Sequence, residues 1–342
     1  MDNPFSLVFG KSPRASIERP VQLREIVDTF QMESISQQIY LIVGVRGYGK
    51  TVLMTQAARQ LVQDDRWVHI ELNPARDLLA SLLAKLNSNR SCLDALKDAD
   101  VNLSFFGFSV GLARAAQIKD PETAVAAILR QMGKHGKRLL ITIDEATSTE
   151  QMRVFTSAFQ IFVRDDLPVF LLMTGLYKNI EALQDESSLT FLHRAPRIHL
   201  QPLNKQAMAA EYAKIFTIDR EIAERMAEQT RGYPFAFQVL GYLSWENGGD
   251  WEGVLDRYAA YLSEYVYDKV WGEMSPKDRE VARGVARAGE GAVKGVLSEL
   301  GMSQNEFNPY RKRLIKKGVL HAPQRGFVAF TLPLFSEYCL EN

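Results

Sequence analysis

Two short stretches carry the residue types and spacing that phosphate chemistry needs. In "GVRGYGKT" (Gly44–Thr51), Gly44 and Gly49 flank a four-residue gap, and Lys50 and Thr51 follow at once, directly after the apolar run "IYLIV". Glycines at this spacing let a loop fold its backbone N–H groups inward around phosphate oxygens. The helical pattern that follows, "TVLMTQAARQLV", points a positive helix N-terminus at the same anion. Gly44, Val45, Arg46, Gly47, Tyr48, Gly49, Lys50, Thr51 and Val52 are therefore candidate nucleotide contacts. Lys50 is suited to the β- and γ-phosphates and the Thr51 hydroxyl to Mg2+.

The second stretch is "LLITIDEA", an apolar strand pattern ending in Asp144 and Glu145. An open α/β sheet places its ligands at the carboxyl ends of its strands, which is where this acid pair falls. Asp144 is suited to anchor the metal through water, and Glu145 to polarise an attacking water as general base. Together the two stretches point to hydrolysis rather than binding alone. The guanine-reading Asn-Lys-x-Asp pattern is missing, because Asn204-Lys205 continues as Gln206-Ala207. ATP is accordingly the expected substrate, with Mg2+ held by Thr51 and Asp144.

These groups need a frame. Besides "IYLIV" (39–43), short apolar runs recur as "WVHIEL" (67–72), "LLITI" (139–143), "PVFLLMT" (168–174) and the weaker "RIHL" (197–200), separated by helical patterns. Buried strands alternating with helices predict a three-layer α/β sandwich on a parallel sheet. A long insert at about 73–135 holds the helical "DLLASLLAKLN" and "DPETAVAAILRQM", with the alternating "VNLSFFGFSV" between them, expected as a peripheral β-hairpin.

Three units follow from this reading: a core over 1–200, an all-helical lid over 201–274 and a winged helix-turn-helix over 275–342. The lid rests on four helical patterns punctuated by Gly, Pro or Asp. The last unit rests on "SPKDREVARGVARA", "AVKGVLSEL" and "NPYRKRLIKKG", followed by a ribbon turning at "PQRG".

At 342 residues with 46% apolar residues, the chain has enough material for two or three cores. Lys+Arg 41 balance Asp+Glu 41, so any nucleic-acid footprint must be local. Cys92 and Cys339 match no metal spacing, no apolar run reaches membrane-spanning length, and the N-terminus lacks a signal-peptide pattern. The expectation is a soluble, cytoplasmic protein.

The phosphate loop, the Asp-Glu strand, Thr174 at a strand end and "RGYP" inside a helical lid together resemble the AAA+ and STAND ATPases. The nearest likeness is to the archaeal-type ATPases with a terminal winged helix, neighbours of the origin-recognition initiators, and it covers nearly the whole chain. The resemblance implies a sensor role for Thr174, although "TGLYKN" lacks the arginine that STAND members often place after that threonine. In "FLHRAPRIHLQPL" it implies an arginine finger reaching a neighbouring subunit's γ-phosphate, Arg194 first and Arg197 second. Gly232 and Pro234 match the Gly-x-Pro signature, which would set Pro234 against adenine; the same pair also simply breaks and restarts a helix. In "IERPVQLREI", Glu18 replaces a glycine, leaving Arg19 and Pro20 as nucleotide contacts.

The last unit carries a local charge. Residues 275–342 hold 11 Lys+Arg against 7 Asp+Glu, with no acid from Phe307 to Ser336. Arg311, Lys312, Arg313, Lys316 and Lys317, with Arg325 at the wing turn, are expected to spread outward as a phosphate-backbone footprint for duplex DNA. Winged helices also mediate protein contacts, and lysines also solvate helix C-termini. The start of that helix stays open between a capping box at 303–306 and the Asn308-Pro309 pair.

Three functions are consistent with this pattern. The first is an ATPase whose nucleotide state controls self-association and presents the winged helix to DNA. The second is a STAND-type switch whose winged helix contacts a protein. The third is a small-molecule kinase, which leaves the lid and winged helix without a task.

Overall fold

Five of the apolar runs pair side by side. They are β1 (Ile39–Val43), β2 (Trp67–Leu72), β3 (Arg138–Ile143), β4 (Val169–Gly175) and β5 (Arg197–His199). All neighbours are parallel, in the order β2-β3-β4-β1-β5. The computed structural model describes residues 2–8, 13–89 and 120–342, so "VNLSFFGFSV" and Cys92 lie outside the described residues. Every residue of β1, β3 and β4 is buried, as covering both faces of a parallel sheet requires, whereas the edge strands β2 and β5 alternate toward solvent.

The order of the strands places the chemistry. Strand β4 lies between β1 and β3, with Thr174 opposite Ile42 and Met173 opposite Ile143. Asp144, one residue beyond β3, therefore comes level with Thr174, and the loop after β1 opens on the other side of the same strand.

Helices α1 (Pro20–Gln31), α2 (Lys50–Leu61), α3 (Leu78–Ser88), α4 (Pro121–Lys134), α5 (Glu150–Arg164) and α6 (Tyr177–Gln184) cover the sheet. Local chemistry fixes several starts: Asp77, Asp120 and Thr149 each accept a backbone N–H at the head of their helix, and Pro121 occupies its first turn. Alternate strand residues feed two cores. Leu41, Ile141, Ile143, Leu171 and Met173 face α3, α4 and α5. Tyr40, Ile42, Leu140, Phe170 and Leu172 face α1 and α2, in a core that continues into the remainder of the chain.

The lid comprises α7 (Lys205–Phe216), α8 (Arg220–Glu228), α9 (Pro234–Glu246), α10 (Leu255–Leu262) and α11 (Asp268–Gly272), the last two joined through a wide turn at Ser263–Tyr267. Then follow α12 (Pro276–Arg287), β6 (Gly291–Ala292), α13 (Val293–Leu300), α14 (Gln304–Lys316), β7 (Leu320–His321) and β8 (Phe327–Phe330), with the strands antiparallel in the order β6-β8-β7. This is the element order of a winged helix. Helix α14 starts at the capping box of Ser303 and Glu306, and Pro309 lies inside it. A terminal helix, α15 (Phe335–Glu341), is an addition the sequence patterns left unassigned; Phe335 and Tyr338 pack against Tyr267. The chain is thus an α/β P-loop fold followed by an all-helical unit and a winged-helix module.

The first residues lie on the lid rather than the sheet. Phe5 is 3% exposed and sits over Gly241, where even a Cβ would overlap its ring. Asn3 donates to Tyr242 O at 3.3 Å, and Ser6 N donates to Gln238 Oε1 at 3.0 Å.

Candidate functional site

A cavity of about 270 Å3 opens at the carboxyl ends of β1, β3 and β4. Gly47, Gly49, Lys50, Thr51, Val52, Arg46 and Tyr48 line it from the loop, and Asp144 and Glu145 from the end of β3. Gly49 caps α2 with φ +81° and Gly47 has φ +75°, a region that side chains rarely adopt; a Cβ on Gly47 would also strike Tyr233. Gly44 and Val45 form the loop's start but do not line this cavity.

Lys50 Nζ donates to Gly44 O at 3.1 Å and Val45 O at 2.9 Å. Burial pulls its ammonium down to about 8, against the opposing pull of Asp144. An ammonium so desolvated gains from a phosphate anion close by, which would restore the charge that burial disfavours.

Thr51 Oγ1 donates to Asp144 Oδ2 at 2.8 Å. Thr174 Oγ1 donates to Asp144 Oδ1 and accepts from Glu145 N at 3.1 Å. One buried hydroxyl therefore holds both acids in register. Thr174 itself is buried and does not line the cavity, and its hydroxyl meets the two acids. Glu145 has φ +54°, and Ala146 N donates to Thr174 O at 2.8 Å to fix the corner. A left-handed non-glycine residue costs about 1 kcal/mol or more. The corner turns the Glu145 side chain into the cavity.

The donor set fits Mg2+. A hydroxyl and a carboxylate are hard oxygen ligands, and this ion takes one or two carboxylates together with substrate phosphates. Among the described residues, no cluster of three or more His, Cys, Asp or Glu could hold a metal by itself.

The lid closes the opposite wall. Pro234, Phe235, Phe237 and Gln238 line the cavity, and Tyr233, fully buried, donates its hydroxyl to Arg46 O at 2.8 Å. Gln238 Nε2 donates to Ala15 O at 2.6 Å, so the amino-terminal residues Ser6, Val8 and Ile17 complete this side. Arg19 lines the cavity and donates to Tyr48 O at 3.2 Å, its burial lowering the guanidinium to about 10.

Several expected residues lie elsewhere. Pro20 is exposed at the start of α1, outside the cavity wall. Gly232, with φ +78°, packs on Pro202 and Leu203 and shapes the turn into α9. Arg194 and Arg197 are exposed and do not line this cavity. Tyr233, Gln238 and the Ser6–Val8 segment went unmarked in the sequence; the notch at Gly241 in mid-helix, opposite an apolar Phe5, was the available signal.

The basic residues of α14 require a correction. They do not all spread outward. Arg313 and Lys317 bind Asp278, whose side chain is 1% exposed, at 2.5 and 3.0 Å. Burial works against that carboxylate, but hydrogen bonds from Arg313, Lys317 and Ser275 outweigh it and hold it below the usual range. Lys316 pairs with Glu181 on α6 at 2.8 Å, and Arg311 donates to Phe327 O at 3.0 Å. Lys312 and the wing residue Arg325 are exposed. The reason is a pair of acids, Asp278 on α12 and Glu181 on α6, which lie far from α14 in the sequence.

Gly318, just after α14, has φ +71° and rests on the phosphate loop itself: a Cβ there would overlap Val45.

Residues 34–177 match a family model described as AAA domain, and residues 264–339 match one described as a domain of unknown function (DUF8462). The core is an AAA+ P-loop domain. The chain also shares its fold with solved structures. The Walker-type ATPase paby2304 of Pyrococcus abyssi superposes with TM-score 0.64 at 15% identity, covering 95% of this chain and 96% of that one. The ORC2 protein of Aeropyrum pernix, solved as ADPNP-ADP complexes, gives TM-score 0.56 at 12% identity, covering 94% and 90%. No curated protein matches the sequence. Among the described residues, no helix is long and apolar enough to cross a membrane.

Proposed function

We propose that this AAA+ chain binds ATP with Mg2+ between phosphate loop and lid, hydrolyses it, and uses the nucleotide state to set the position of its C-terminal module, which binds duplex DNA. The observation that carries the reading is the network joining Thr51, Asp144, Thr174 and Glu145, which brings a metal-binding pair and a carboxylate base to one end of the cavity. In this scheme the loop's backbone and Lys50 cradle the phosphates. Bound Mg2+ would be held by Thr51 and Asp144 and would neutralise phosphate charge. Glu145 takes the proton of the attacking water, and Thr174 keeps that carboxylate aimed. Pro234 and Phe235 supply the apolar wall for the base. Arg194, exposed on the core, serves in trans when subunits associate.

Steady-state phosphate release and equilibrium nucleotide binding test the assignment. Glu145→Gln is expected to retain ATP binding while losing about 100-fold or more in turnover, the usual worth of a general base. Lys50→Ala is expected to lose both. Unchanged turnover in Glu145→Gln removes that residue from the reaction.

The alternative, a switch whose C-terminal module contacts protein, draws support from Gly318 seated on Val45 and from the cations turned toward Asp278 and Glu181. Salt-dependent duplex binding, reduced by removing Lys312 and Arg325, supports the DNA reading. No duplex binding at low salt supports the switch.

A further inference from the structure

The amino-terminal residues reach the nucleotide cavity by way of one stripe of the lid. Along α9, Gln238, Tyr242 and Glu246 recur every four positions, with Gly241 beside them, and so share a face. Each meets the first residues of the chain. The ring of Phe5 fills the notch at Gly241 and packs against Tyr212, Phe216 and Phe237. Asn3 donates to Tyr242 O at 3.3 Å and to Glu246 Oε1 at 3.1 Å.

Of the four residues in the stripe, Gln238 alone lines the cavity. Its amide is used at both ends: Oε1 accepts from Ser6 N at 3.0 Å, and Nε2 donates to Ala15 O at 2.6 Å. Ala15 N in turn donates to Pro4 O at 3.0 Å. One side chain thus ties residues 4–8 and 13–17 to the lid and to each other. Both stretches supply cavity wall, Ser6 and Val8 from the first, Pro13, Ser16 and Ile17 from the second. Val8 lines the cavity while 58% exposed, so an apolar occupant on this side has surface to cover. The phosphate end is built by a separate set of bonds, from Lys50 to Gly44 O and Val45 O and from Thr51 to Asp144.

We propose that Gln238 is a positioning residue for the nucleoside part of the nucleotide. By clamping residues 4–8 and 13–17, it holds the wall against which base and ribose lie, and it leaves the phosphates to the loop. This rests on the reading that ATP occupies the cavity.

The physical reason is entropic. Neither stretch belongs to a helix or strand. Such a segment loses conformational freedom whenever it is ordered, so a wall ordered beforehand binds more tightly than one the ligand must order. With both ends of its amide on the segment, Gln238 acts on the ligand through that wall.

Equilibrium binding to the full chain separates the two ends of the site, with ATP and tripolyphosphate as probes, the second carrying three phosphates and no nucleoside. Gln238→Met keeps the length of the side chain and removes both hydrogen bonds. ATP should weaken about tenfold, the worth of two ordinary hydrogen bonds, and leave faster by a similar factor. Tripolyphosphate should be unaffected. Phe5→Ala removes the segment's other anchor and should give the same split, which keeps the test open if Gln238→Met fails to fold. Equal losses for both probes, or no loss for ATP, overturn the proposal and leave Gln238 a structural residue of the lid. If the unsubstituted chain binds tripolyphosphate as tightly as ATP, the proposal falls while the phosphate site stands. If it binds neither, the assignment of the cavity to ATP falls as well.

Discussion

On one face of the sheet, Ile141, Ile143, Leu171 and Met173 meet helices α3, α4 and α5 in a core confined to residues 39–195. On the other, Tyr40, Ile42, Leu140 and Leu172 open a core that runs without a break through the lid to Phe330 and Phe335 in the C-terminal module. The same strands supply both, by simple alternation. What differs is the sequence distance that each face spans. The closed face can only hold the sheet together. The open face shares its interior among three units, and packed interiors shift between discrete arrangements rather than deforming smoothly. In the proposed function, a ligand that moves the lid or the phosphate loop acts on the module through this face.

Substitutions can break or sharpen that contrast. Phe159→Ala, fully buried on the closed face, should cost about 3–5 kcal/mol in denaturant unfolding, with turnover per folded molecule unchanged. A turnover change would show that the closed face is not passive. Gly318→Ala, on the open face, should cost less, about 1–3 kcal/mol, from strain at positive φ and the collision with Val45. Its signature should be faster proteolysis within 275–342 and altered turnover; neither change would mean the docked contact carries no coupling. Tyr233→Phe removes one hydrogen bond to Arg46 O and should cost about 1 kcal/mol, read mainly as faster nucleotide release.

Much of this arrangement was legible in the sequence, because it is local. The five strands announce themselves as apolar runs, and the phosphate loop and Asp144-Glu145 stand at strand ends where their spacing places them. Features set by distant partners were not legible. The start of α14 was ambiguous until the capping box of Ser303 and Glu306 prevailed over Pro309. The direction of Arg313 depends on Asp278, 35 positions away on α12. Tyr233 is an ordinary aromatic between Gly232 and Pro234 until the lid folds onto the loop. The sensor role of Thr174 is implied only by the family resemblance, and the engagement of its hydroxyl with Asp144 and Glu145 becomes visible only in the fold.

The contact between the first residues and the lid has a consequence for how the chain is made. Ser6 and its partner Gln238 are 232 positions apart. At about 5–20 residues per second, a ribosome needs on the order of tens of seconds to pass from one to the other. Phe5, an apolar ring whose seat is Gly241, must wait through that interval beside a core that can already close around its own sheet. One wall of the nucleotide cavity is thus completed only when the lid arrives.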